Sequence, residues 1–159
     1  MRKMITIYTT PSCSSCRKAK KWLDDHRIPY SEKNIFNENI TEDDIDLMLE
    51  HSQNGFEDII STRSKIIREN DLDIEGMRTT ELKQFILENP SVLKRPIMID
   101  PKDNKMQVGY NDEEIRVFIP KRLRELIVYS NFSQGDSSYQ KALEIYFDEM
   151  ELRKEKSNS

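Results

Sequence analysis

Residues 4–8 (Met4-Ile5-Thr6-Ile7-Tyr8) are β-rich and lead into a turn, Thr9-Thr10-Pro11-Ser12. Cys13-Ser14-Ser15-Cys16 follows at the mouth of an amphipathic stretch. Nothing else in the chain restricts its fold as strongly. These are the only two cysteines. Three residues apart on a helix, they lie one turn apart, close to the Cα separation of about 4.4–6.8 Å that a disulfide requires. A strand that delivers such a pair to a helix N-terminus opens a β-α-β unit of thioredoxin-like type and marks a reversible thiol–disulfide couple.

The rest of the chain sets bounds on that reading. A length of 159 residues suits one domain with a modest extra segment. Apolar residues make up 36% and charged residues 34%, which implies a small core under a heavily solvated surface. The longest apolar runs, such as Ile97-Met98-Ile99, fall far short of the ~18 residues of a membrane span. Met1-Arg2-Lys3 leads straight into the strand pattern without a secretory core, so the chain is expected to be cytoplasmic. In a reducing cytosol a lone cysteine pair is not a permanent structural staple. A net charge of −4 gives no electrostatic pull toward nucleic acid, so any DNA contact would come from a local patch or a partner.

Periodicity predicts a helix over residues 13–26, with Ala19, Trp22 and Leu23 on one stripe, and a second strand over residues 30–36. Thr41 followed by Glu42-Asp43-Asp44 reads as an N-cap with an acidic first turn, opening a helix that Asn54-Gly55 ends. Residues 56–70 read as short helices broken near residues 61–64, and residues 80–89 as an amphipathic helix stopped by Pro90. A hairpin follows, residues 94–100 and 106–110, with Pro96 at the opening of its first strand. Residues 111–118 then predict a short helix capped by Asn111. The order β-α-β, helices, β-β-α is an α/β thioredoxin-like core with a helical insertion at about residues 41–90. Beyond Pro120 the character changes: a helix over residues 121–129, a polar linker over residues 130–138, and a helix over residues 139–156. In that last helix Tyr139, Leu143, Tyr146 and Met150 share one face, which suits docking on the protein's own core. The final Lys156-Ser157-Asn158-Ser159 is expected to lie outside regular structure.

Chemistry centres on the two thiols. At a helix N-terminus, the dipole and the unpaired backbone N–H groups stabilise a thiolate, which makes Cys13 the attacking sulfur and Cys16 the resolving one. Oxidation of Cys13 followed by attack from Cys16 closes the disulfide. His26 and His51 are not spaced with the cysteines as a zinc cluster would require. Arg95 precedes Pro96, which a thioredoxin-like fold places beside the thiols; with Arg63 it supplies guanidinium groups able to hold an oxyanion or a thiolate. The spacing alone leaves a reductase and a switch equally open.

Several stretches together resemble the Spx regulators of Gram-positive bacteria, a branch of the arsenate reductase (ArsC) family. They are Tyr8-Thr9-Thr10-Pro11-Ser12-Cys13-Ser14-Ser15-Cys16-Arg17-Lys18-Ala19, Ile59-Ile60-Ser61-Thr62-Arg63-Ser64-Lys65, Leu93-Lys94-Arg95-Pro96-Ile97 and Gln107-Val108-Gly109-Tyr110-Asn111. The resemblance runs from about residue 4 to 124. It implies one ArsC/Spx-type domain over residues 1–124, followed by a linker and C-terminal helix over residues 125–159. It further implies a non-enzymatic, redox-sensing global regulator without cofactor or metal. Such a protein binds the C-terminal domain of the RNA polymerase α subunit and reaches promoter DNA only through polymerase. By position Cys13 and Cys16 are its switch, while Gly55, Arg63, Lys65 and Arg95 match residues tied to the partner contact. Regulated turnover through a protease adaptor is implied as well.

The chain departs from the family pattern in three places. Met1-Arg2-Lys3 extends the usual start, which points to Met4 as the natural initiator. Lys94 stands where a second arginine is common, and residues beyond about 124 exceed the usual tail. The enzyme alternatives are arsenate reduction by Cys13, with Arg63 and Arg95 holding the oxyanion, and a glutaredoxin-like disulfide reductase. The first conflicts with a second cysteine so near, and the second lacks a recognisable glutathione-binding feature.

Overall fold

Strand β1 (Ile5–Thr9) is the central organiser, and the helix that follows it, α1 (Ser14–Asp25), returns the chain to β2 (Tyr30–Asn34), parallel to β1. The computed structural model describes residues 4–37, 40–133 and 138–157. Four helices come next: α2 (Glu42–His51), α3 (Phe56–Ile59), α4 (Lys65–Glu69) and α5 (Thr79–Glu88). Strands β3 (Ile97–Asp100) and β4 (Lys105–Val108) complete a four-stranded sheet of order β2-β1-β3-β4, with β3 antiparallel to both neighbours. This is the mixed α/β thioredoxin-like arrangement of the sequence reading, with the helical insertion in its expected place.

Register explains the burial. Tyr8 lies opposite Ile97, and Ile7 opposite Met98, so the two pairs face opposite sides of the sheet, and all four side chains are at most 1% exposed. Tyr8, Ile97 and Ile99 join Ile45 and Met48 of α2, Ile59, and Leu82 and Ile86 of α5 in one core. Each such aliphatic side chain, fully buried, contributes roughly 1.5–3 kcal/mol. The insertion is therefore welded to the strand that leads to the cysteines.

Helix α2 begins as Thr41 and its acidic turn require. The Thr41 hydroxyl accepts from the Asp44 N–H, and the Asp44 carboxylate accepts from the Thr41 N–H at 2.8 Å, a reciprocal capping box. That carboxylate also accepts from the Tyr8 hydroxyl at 2.8 Å and the Lys33 ammonium at 2.6 Å. Burial works against the charged form of Asp44, but these hydrogen bonds outweigh it and hold its pKa below the ordinary value.

Some expected boundaries move. β2 stops at Asn34 rather than residue 36, because the Asn34 side-chain oxygen accepts the N–H groups of Phe36 and Asn37 and turns the chain. Residues 111–118 form a 3₁₀ helix over Glu114–Phe118 instead of an α-helix. Asn111 caps it through the N–H groups of Glu113 and Glu114, and Pro120 blocks elongation.

The chain divides into two compact units, Met1–Val117 and Phe118–Ser159. In the second, α6 (Lys121–Ser133) packs with α7 (Ser138–Ser157), and Arg122 forks onto Glu149 at 2.9 and 2.7 Å. Helix α6 continues past residue 129 into the stretch read as linker; Ser130 is buried, and packing carries the helix through weak formers. Lys156 and Ser157, expected to be irregular, belong to α7. Arg153, Lys154, Glu155 and Lys156 are good helix formers, and the lysines suit the negative helix end. Leu143 of the expected apolar face is buried, while Tyr139, Tyr146 and Met150 are half-buried. Met1-Arg2-Lys3, residues 134–137 of the linker and Asn158-Ser159 lie outside the described residues. Among the described residues no helix is long and apolar enough to cross a membrane.

Candidate functional site

Cys13 is the N-cap of α1. Its backbone is extended (φ −100°, ψ 109°) and its sulfur accepts the Cys16 N–H at 3.1 Å. The Ser-Ser spacer puts Cys16 one turn inside, where it is only 1% exposed, whereas Cys13 is half-exposed; both thiols are free. Burial pushes the Cys16 thiol up to about 12, and its hydrogen bond with Cys13 adds to this. A backbone hydrogen bond at Thr10 and the charge of Arg95 pull the other way without reversing it. At neutral pH Cys16 therefore stays protonated and shielded, and Cys13 alone meets solvent.

Cys13 opens into a cleft of about 550 Å³ that also includes Thr10, Pro11, Phe36 and Arg95. The Arg95–Pro96 peptide is cis, and Pro96 sits at the entrance to β3, as the sequence reading required. The loop carrying Arg95 is laced to the insertion by backbone bonds: Ser61 N–H to the Val92 carbonyl, and Lys94 N–H to the Ile59 carbonyl, each at 2.8 Å. Ile60 and Leu93 form the bridge between these bonds.

A second cleft, of about 620 Å³, shares Arg95 and is lined by Arg63, Ser64, Lys65, Lys94 and Gly109 among others. Ser64 Oγ is buried without a hydrogen-bond partner. Arg95 thus belongs to both clefts, and the structure brings Cys13 together with Arg95, and Arg95 together with Arg63 and Lys65. Sequence reasoning placed Arg95 beside the thiols through Pro96 but had no signal for Phe36 as a cleft wall, because a strand-end aromatic reads as ordinary.

Gly55 lines neither of these clefts. It borders a groove of about 500 Å³ with Phe56, Thr62, Ile74 and Met77. Its φ of +67° and ψ of −134° make it a position that a side chain would strain, although nothing lies within 4 Å of where a Cβ would stand. The preceding turn is held by Asp58, whose carboxylate accepts the N–H groups of Gln53 and Asn54 at 2.9 Å each. Glycine is thus required by the backbone, and it also leaves the surface open.

Comparison with known proteins agrees with this architecture. The ArsC family model matches residues 8–118. A protein from Staphylococcus epidermidis named "Global transcriptional regulator Spx" is 48% identical over 121 residues, 76% of this chain and 91% of the relative. Its Staphylococcus aureus counterpart matches to the same extent. Among solved structures, an ArsC-family-related protein from Bacteroides fragilis matches with TM-score 0.61 and 26% identity, over 71% of this chain and 96% of that one. An arsenate reductase from Vibrio cholerae shares the fold at TM-score 0.62 and 18% identity, over 71% and 95% of the two chains. The chain belongs to the ArsC family and, within it, to the Spx branch.

Proposed function

We propose that this protein is a redox-sensing transcriptional regulator that acts by docking on the C-terminal domain of the RNA polymerase α subunit. The observation that carries the reading is the position of Arg95, shared between the Cys13 cleft and the cleft that holds Arg63 and Lys65. Oxidation converts two thiols into one disulfide and changes the group that Arg95 faces. Because the Arg95 loop is hydrogen-bonded to the chain at Ile59 and Ser61, a shift there reaches the segment carrying Arg63 and Lys65. The Gly55 groove supplies a backbone approach for the partner, and polymerase brings the acidic chain to promoter DNA. Turnover through a protease adaptor belongs to the same reading.

The relatives named as regulators support a non-enzymatic role. A specific observation does favour one other reading: Cys13 and Arg95 share a cleft, as arsenate reduction needs. The buried Cys16 one turn away favours internal disulfide closure instead. The test is a pull-down on immobilised α C-terminal domain with the protein in diamide, in dithiothreitol, and as Cys13→Ser. Capture in every state supports a docking regulator whose disulfide acts after docking, and capture in diamide alone puts the switch at docking. No capture in any state refutes the reading, and arsenate turnover then becomes the assay to run.

A further inference from the structure

The cleft beside Cys13 has a composition that a bare sensing thiol does not need. Arg95 forms one wall, and its guanidinium makes a long polar contact, Nη1 donating to the Ser91 carbonyl at 3.5 Å. Among the described residues no carboxylate lines the cleft. Phe36 stands beside it with 45% of its surface exposed, on a backbone pinned by the Asn34 side chain at 2.9 Å. Cys16 is sealed from solvent, so an incoming oxidant meets Cys13 first.

A cation, an exposed aromatic face and a reactive sulfur in one open cleft suit a molecule with an anionic group, an apolar part and an electrophilic sulfur. Peroxide is small and neutral, carries no anionic group for Arg95 to hold in its ground state, and leaves the Phe36 wall without a role. An inorganic oxyanion uses the guanidinium but leaves the aromatic wall without a role. We propose that the cleft selects the oxidant, and that Cys13 reacts with a small organic disulfide bearing carboxylates, held by Arg95 while Phe36 and Pro11 cover its apolar portion. This rests on the redox-switch reading and names the oxidant of that switch.

The chemistry closes without another reactant. The Cys13 thiolate attacks one sulfur of R–S–S–R; the Cys13–S–S–R bond forms, and R–S⁻ leaves and takes a proton. Cys16 then gives its proton to solvent and attacks the Cys13 sulfur, expelling the second R–S⁻, which is protonated in turn. The protein loses two electrons and two protons, and the organic disulfide becomes two thiols. The raised pKa of Cys16 slows the second step, but its position one turn away makes that step intramolecular.

The test uses the full chain as Cys16→Ser, so that reaction stops at the mixed disulfide and is timed by mass. Three probes are compared: oxidised glutathione (anionic), hydroxyethyl disulfide (neutral) and cystamine (cationic). A unit charge facing Arg95 should make the anionic probe roughly threefold to tenfold faster than the neutral one, with the cationic probe slower and the ratio falling toward one as salt is added. Arg95→Ala should erase the preference and Arg95→Lys should keep most of it; the ratio to the neutral probe cancels any change in Cys13 reactivity. No charge preference in the Arg95 protein, or a preference that survives Arg95→Ala, overturns the proposal. A parallel diamide treatment with both cysteines present separates the two ideas. A Cys13–Cys16 disulfide without charge preference removes the proposal and leaves the switch, whereas failure to form that disulfide at all removes the switch.

Discussion

Removing one hydroxyl should loosen the joint between the strand that leads to the cysteines and the helical insertion. Tyr8 is 1% exposed, and its hydroxyl donates to Asp44 at 2.8 Å. Burial, with the adjacent Asp44 charge adding to it, pushes the Tyr8 phenol far above its ordinary range, so it stays a donor. Asp44 is largely buried, and its other donors, Lys33 and the Thr41 N–H and hydroxyl, are already committed. Tyr8→Phe keeps the ring packing and deletes only the bond. A hydrogen bond to a charged acceptor is worth about 1.5–3 kcal/mol, so urea denaturation at pH 7 should show a loss of about 2 kcal/mol. In an Asp44→Asn background the acceptor is neutral, and the same change should cost about 0.5–1.5 kcal/mol. The pH dependence follows with a definite sign. Because the Asp44 pKa is depressed in the folded chain, its stabilisation is present above the ordinary 3.8 and is lost as pH falls through the folded value. An unchanged midpoint at pH 7, or an equal penalty in both backgrounds, would show that the hydroxyl does not hold the carboxylate.

Three further outcomes are expected. Brief alkylation of the native protein at pH 7–8 should label Cys13 and spare Cys16, since Cys16 is buried and pushed up to about 12; equal labelling in mass spectra would contradict that environment. Gly55→Ala should cost about 1 kcal/mol or more in urea, because the backbone strain outweighs the open space around the new methyl; a neutral change would mean the turn relaxes freely. His26, stacked on Trp22 at 3.9 Å, has its pKa lowered, chiefly by burial. The unfolded chain therefore binds its proton more readily, and stability should decline as pH drops below the ordinary 6.5. His26→Asn should flatten that slope in fluorescence-monitored unfolding, and an unaltered slope would place the titration elsewhere.

Much of the fold was legible before any coordinates. Local signals set the strand before Cys13, the N-cap at Thr41 and the break between α3 and α4, because each depends on near-neighbour chemistry: pleat alternation, orphan N–H groups and turn residues. The same logic failed where packing or a competing cap prevailed. Asn34 ended β2 early, Asn111 yielded a 3₁₀ turn, and α6 ran on through Ser130 because that residue is buried. The site divides in the same way. Sequence alone determined the two thiols, their helical spacing and a guanidinium before Pro96, each a relation between near neighbours in the chain. Only the tertiary structure decided that Arg95 belongs to two clefts, that Phe36 walls the one holding Cys13, and that Gly55 lines neither. Those relations join residues far apart in the chain, and they arise from sheet register and long-range backbone bonds such as Ser61 to Val92, which no local pattern encodes.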